Sequence, residues 1–157
     1  MADSLPPCGI YRTRASVAGV PEGRLVYFHN HGNPGPGVYL PSSWRANRAE
    51  FAERGSTIRD LAEIRSLESL PREGFYRVNE RFFCCDKRCV AFEEELLVQL
   101  GYNGAAEPIV FTPEWLPEGL ALPGQGMKID PDRLGKLSYL KVAFRREMQG
   151  AASSLLH

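Results

Sequence analysis

Glycine and proline interrupt this chain too often for long helices to fit, with 15 glycines and 12 prolines spread along 157 residues and only short apolar stretches between them. Proline lacks a backbone donor and glycine raises the entropic cost of a regular element, so both collect at turns and strand ends. Turn signals at intervals of roughly eight to twelve residues are the pattern of an all-β domain. The expected fold is therefore mainly β, a rolled antiparallel sheet or small β-barrel with one central short helix and room for a C-terminal helix.

The segments between these breaks support that reading. Residues 9–17 read as a strand, residues 20–23 (Val-Pro-Glu-Gly) as a turn, and residues 24–31 as a second strand. In that second strand Val26 and Phe28 point to one face, and Leu25, Tyr27, His29 and His31 to the other. Residues 32–37 (Gly-Asn-Pro-Gly-Pro-Gly) form a loop, and Val38 to Leu40 resume extended structure. Residues 44–55 carry signals for both helix and strand, and strand is the assignment adopted.

Residues 58–70 give an approximate helical stripe, with Thr57 as cap and Pro71 as stop. Residues 75–78 and 81–84 flank Asn79-Glu80 as an expected hairpin. The alternation of Leu96, Val98, Leu100 and Tyr102 marks a strand with one apolar face. Asn103-Gly104 turns the chain into a strand over 108–112, and Pro117-Glu118-Gly119 makes a further hairpin. Asp130-Pro131 suits a helix start, after which residues 139–148 fit either a helix or a strand.

A chain of 157 residues is enough for one core, since a domain of that size buries roughly 70% of its unfolded surface. One β-rich domain is expected over residues 1–149, with residues 150–157 as a flexible tail. Nineteen basic residues balance nineteen acidic ones, so no net field draws the chain to nucleic acid or anionic lipid. The first eight residues lack the basic start and apolar run of a signal peptide, and no stretch approaches the ~20 apolar residues of a membrane span. A cytoplasmic location follows as an expectation, and in a reducing compartment the four cysteines are expected as thiols.

Two clusters could carry chemistry. His29-Asn30-His31 on a strand puts both imidazoles on one face, a geometry suited to a shared metal. Gly23, five further residues, and then His29-x-His31 resembles the opening of the first motif of the cupin superfamily over nine residues. That resemblance implies a metal held by these histidines, a following glutamate and a later histidine. Here the glutamate's place falls in the Pro-Gly loop, and the only other histidine is His157. The contiguous His-Asn-His does not reproduce the dispersed residues of HNH nucleases.

The second cluster is Cys84-Cys85-Asp86-Lys87-Arg88-Cys89. On a strand Cys84 and Cys85 would point to opposite faces, so at most one of them could join Cys89. A zinc site built from His29, His31, Cys85 and Cys89 is the alternative that would complete four ligands.

No phosphate loop, nucleophile elbow or paired helical carboxylates occur. The favoured function is accordingly a non-catalytic module that binds another macromolecule, a protein above all, as an adaptor, assembly component or inhibitor, with no cofactor. Its expected binding residues are His29, His31, Asn33, Tyr39, Trp44 and Arg45, around the 32–37 loop. The alternative is a metal-binding cupin-like enzyme or zinc-stabilised fold using His29 and His31. Self-association through an uncovered edge strand is a further expectation, and nucleic acid and membrane are not expected partners.

Overall fold

The computed structural model describes residues 4–142. Its architecture is mainly β, with two five-stranded antiparallel sheets, three two-stranded ribbons and two short helices. In the first sheet the spatial order is Ser56–Thr57, Gly37–Tyr39, Leu25–His29, Gly9–Arg12 and Glu68–Ser69. In the second it is Met127–Lys128, Pro108–Phe111, Leu97–Tyr102, Gly74–Val78 and Leu137–Tyr139. Each sheet ends on strands of two or three residues. Such short edges do not pair with one another, and among the described residues no closed barrel forms.

The alternation expected in residues 24–31 is what separates the two cores. Val26 and Phe28 are fully buried in a smaller cluster with Tyr11, Val38, Ile58 and Ile64, beneath the short helix. Leu25, on the other face, enters the larger cluster with Val78, Val98, Leu100, Tyr102 and Val110 of the second sheet. Tyr27, next along that face, meets Phe51 with ring centroids 5.7 Å apart.

Residues 44–55 turn out to be most of a hairpin, Pro41–Arg45 against Arg48–Phe51. Ala46 and Asn47 both take positive φ, 50° and 66°, as a two-residue type I′ turn requires. This turn docks on the central strand of the second sheet. Gln99 is 2% exposed, and its amide donates to the Ala46 carbonyl at 2.8 Å while accepting from Asn47 Nδ2 at 3.0 Å. Gly101 lies so close that a Cβ there would sit 2.6 Å from the Asn47 carbonyl oxygen. The strand therefore buries both faces, where the sequence suggested one.

Three other expectations are corrected. Only Leu61–Arg65 of the proposed 58–70 helix is helical, capped by Asp60, whose side chain accepts from Ala62 N. Thr57 is instead in a strand, and Glu68–Ser69 pairs with Tyr11 and Arg12, where Arg12 and Arg14 both hold Glu68 at 3.0 Å. Sheet pairing and these ion pairs outweigh the helical stripe.

Residues 75–78 and 81–84 do not form a hairpin, because Gly74–Val78 pairs with Leu97–Tyr102 and Leu137–Tyr139, and Phe82–Phe83 pairs with Ala91–Phe92. After Asp130 comes a 3-10 helix, Pro131–Lys136, and Asp130 makes no side-chain capping bond. Leu137–Tyr139 is a strand, with Leu137 buried against Val78. The rest of the ambiguous 139–148 segment, including any C-terminal helix, and the proposed 150–157 tail lie mostly or wholly outside the described residues.

Candidate metal centre

The local fold that matters most is the first hairpin. Its tip is Ala18-Gly19, with φ of 49° and 85°, between the paired Val17 and Val20. The sequence suggested residues 20–23 instead, which would have set a different register. Pro21 to Gly23 form a bend beside the tip, where buried Thr13 donates its hydroxyl to the Pro21 carbonyl and accepts from Arg24 N, both at 2.8 Å. From this tip the pairs run to Arg12↔Leu25 and Gly9↔Phe28. One step further, the register places Cys8 across from His29.

Cys8 thus meets both histidines. Its Sγ lies 3.5 Å from His29 Nδ1 and 3.7 Å from His31 Nδ1. The two rings stand 4.1 Å apart, and ligand atoms of all three residues fall within 4.8 Å of one another. Zinc binds sulfur at about 2.3 Å and imidazole nitrogen at about 2.0–2.1 Å, so a tetrahedral angle gives a sulfur–nitrogen edge of about 3.6 Å. The two distances from Cys8 Sγ, 3.5 and 3.7 Å, bracket that value.

The surroundings hold these groups in place. The Tyr11 hydroxyl donates to the Pro7 carbonyl at 2.6 Å, fixing the segment that carries Cys8. Asn30 Nδ2 donates to the Pro6 carbonyl at 3.0 Å, and its backbone N–H donates to the Cys8 sulfur at 3.3 Å. Its side-chain oxygen accepts from the Cys8 thiol at 3.2 Å and lies 2.5 Å from His31 Nδ1. The Asn30 backbone N–H bond is the one a thiolate would keep, whereas a metal on Cys8 Sγ and His31 Nδ1 would displace the Asn30 side-chain oxygen from both. Gly32 packs against the His29 ring, and a Cβ there would lie 2.5 Å from the Gly35 carbonyl oxygen. The 32–37 loop therefore folds back beside the histidine pair.

Cys8 also lines a cleft of about 590 Å³ with Tyr11, Tyr27, Arg48, Arg72 and Glu73. Burial first, and then the neighbouring Cys8 side chain, raise the pKa of the Tyr11 and Tyr27 phenols. Burial likewise pushes the Glu73 carboxyl up, against the hydrogen bond from Ala49 N at 2.9 Å and the charge of Arg48.

Four of the residues the sequence singled out for metal binding are divided between two clusters. His29 and His31 join Cys8 at the first sheet, and Cys85 and Cys89 join Cys84 beside the second, so they do not form one Cys₂His₂ set. Cys84 and Cys85 lie in a bend past the Phe82–Phe83 strand, where strand alternation no longer separates their side chains. Their sulfurs are 3.6 Å apart. The hydrogen bond from Cys84, and then the backbone amide of Lys87, lower the Cys85 pKa, while Cys85 in turn raises that of Cys89. The ligand set also differs from the cupin pattern, since its third member precedes the histidines.

The other expected binding residues do not converge on this centre. Asn33 and Tyr39 line a shallow cleft with Glu53 and Arg54. Trp44 is 44% exposed, with its indole N–H donating to the Tyr102 carbonyl at 2.8 Å. Arg45 pairs with Glu50 at 3.3 Å.

Two features escaped sequence reasoning. One is Cys8, which only the correct hairpin register reveals. The other is the exposure of the hairpin expected at residues 117–119, which forms from Glu114–Leu116 and Gly119–Ala121 and leaves Trp115 78% exposed, with Leu116, Leu120 and Leu122 also exposed. Among the described residues no helix is long and apolar enough to cross a membrane. Comparison with protein families, with curated proteins and with solved structures gives no match to this chain.

Proposed function

We propose that this chain is a metal-binding domain that holds a zinc-class ion through the Cys8 thiolate and the imidazoles of His29 and His31. The observation that carries this reading is the pair of sulfur–nitrogen distances, 3.5 and 3.7 Å, from a cysteine 21 and 23 residues away in sequence. One thiolate and two imidazoles are the borderline-soft donors that suit zinc. Three protein ligands leave a fourth position, which water or a donor from a partner completes.

Zinc equilibration followed by elemental analysis tests the reading. The protein is purified without an affinity tag and carries Cys85→Ser and Cys89→Ser, so that only this centre reports. Near-stoichiometric zinc is expected, lost in His29→Ala. Less than about a tenth of an equivalent, on the order of contamination, overturns it.

A second reading, a protein-binding module, draws support from the Trp115 ribbon. Trp115, 78% exposed, stands directly opposite the exposed Leu120 on this two-stranded ribbon, and apolar side chains paired in water on one face mark interaction surfaces. This surface lies on residues other than the loop and Trp44 that the sequence suggested.

A further inference from the structure

The 84–89 segment has features that a group of structural thiols does not need. Cys84, Cys85 and Cys89 come together although one is buried, one half-buried and one exposed. The chain reverses tightly between Cys85 and Cys89, with Arg88 N donating to the Cys85 carbonyl at 3.0 Å and Arg88 at φ 56°. This reversal brings backbone donors to sulfur. Val90 N–H donates to Cys84 Sγ at 3.3 Å, and the amides of Lys87 and Cys89 bond Cys85. Backbone N–H groups converging on one concavity stabilise negative charge there, as in anion-binding nests.

The sulfur spacing is that of a common ligand shell. Zinc–sulfur bonds of about 2.3 Å at a tetrahedral angle give a sulfur–sulfur edge of about 3.8 Å. Cys84 and Cys85 stand 3.6 Å apart, and all three sulfurs lie within 4.8 Å of one another. The turn is fixed from outside as well. Asp130 N donates to the Cys84 carbonyl at 2.9 Å, and Arg133 bonds both the Phe83 carbonyl and Asp86 at 2.9 Å. The three sulfurs open on a cleft of about 380 Å³ that also includes Met127, Lys128 and Asp130.

We propose that Cys84, Cys85 and Cys89 form a second metal site, a three-thiolate centre for a thiophilic ion whose fourth position faces this cleft. Binding releases the thiol protons to solvent, and the ion's charge with the adjacent Lys87 and Arg88 offsets the three thiolates. No redox step is involved. The site is independent of the Cys8 centre, and its failure leaves that reading intact.

Cobalt(II) titration of the full chain tests it, because thiolate-to-cobalt charge transfer in the near ultraviolet grows with the number of bound sulfurs. The reduced wild type is expected to take up one more equivalent than Cys85→Ser/Cys89→Ser, and the variant is expected to lose most of the charge-transfer intensity. In Cys8→Ala the intensity is largely retained. Equal uptake and equal intensity in wild type and double variant overturn the proposal.

A second measurement needs no variant. Zinc is expected to protect Cys85 and Cys89 from alkylation in peptide maps of the wild type, with reactivity restored by a chelator. Unchanged alkylation, or protection that survives the chelator and is reversed only by added reductant, the mark of a disulfide, overturns it.

Discussion

Removing the Cys8 sulfur should abolish most of the stability that zinc gives the first sheet, and the size of the effect can be worked out. Four-ligand structural zinc sites carry roughly 10–16 kcal/mol of apparent binding free energy, or roughly 2.5–4 kcal/mol per ligand. Three ligands then correspond to about 8–12 kcal/mol, a Kd between about micromolar and nanomolar. Cys8→Ala, at about 2.5–4 kcal/mol for one ligand, weakens zinc binding by roughly 100-fold or more.

At zinc near 100 times the wild-type Kd the folded state gains about 2.7 kcal/mol, whereas a variant binding 100-fold more weakly gains about 0.4 kcal/mol. For a chain of 157 residues each kcal/mol moves the midpoint by about 2–4 °C. The expected rise in Tm on adding zinc is therefore about 5–11 °C for the parent and about 1 °C for the variant.

The assay is thermal unfolding by circular dichroism, with and without zinc, in the Cys85→Ser/Cys89→Ser background. Without metal the variant also loses its sulfur's hydrogen bonds to Asn30, which costs about 0.5–1.5 kcal/mol. The comparison is consequently between rises and not between midpoints. Equal rises in parent and variant, or none in the parent, would refute the reasoning.

Three further outcomes are expected. Gln99→Leu leaves the Ala46 carbonyl and one Asn47 donor without their partner at the interface of hairpin and sheet, and should cost about 1–3 kcal/mol in urea denaturation; no loss would show that the turn does not depend on this lock. Glu73 has a folded-state pKa raised by burial, so its contribution is present below its unfolded pKa of about 4.3 and is lost as pH rises through the folded value. Glu73→Gln keeps an acceptor for Ala49 N and should be the more stable protein at pH 8, with the advantage shrinking in acid; the opposite trend would mean that pairing with Arg48 outweighs burial. Trp115→Ser should change stability by no more than about 0.5 kcal/mol while lowering binding of an apolar dye, because 78% of the side chain is already in water.

Much of the fold was legible because burial on a sheet has a period of two. The alternation in Leu25–His29 correctly divided its faces, and Leu97–Tyr102 was found from the same signal. What local pattern could not supply was partnership. The Ile58 and Ile64 spacing is helical, yet Glu68 belongs to Arg12 and Arg14 across the sheet. Gln99 reads as a solvent-facing residue until the turn at Ala46-Asn47 covers it.

At the candidate centre the two histidines were visible and their cysteine was not. Proline at position 21 signals a turn over residues 20–23, yet the chain turns at Ala18-Gly19, where an alanine takes a positive φ that its type rarely adopts. A turn misplaced by three residues shifts the whole register and sends Cys8 to another partner. Likewise strand alternation would separate Cys84 from Cys85, but the strand ends one residue earlier, at Phe83.

Because Cys8, His29 and His31 all belong to one hairpin, they sit at its open end, the part farthest from the turn. An ion bound there would act as a clasp, tying the two strands together at the end opposite the turn without help from the second sheet. The contacts involved are close in sequence, so the clasp can shut early, while the later half of the chain is still being made.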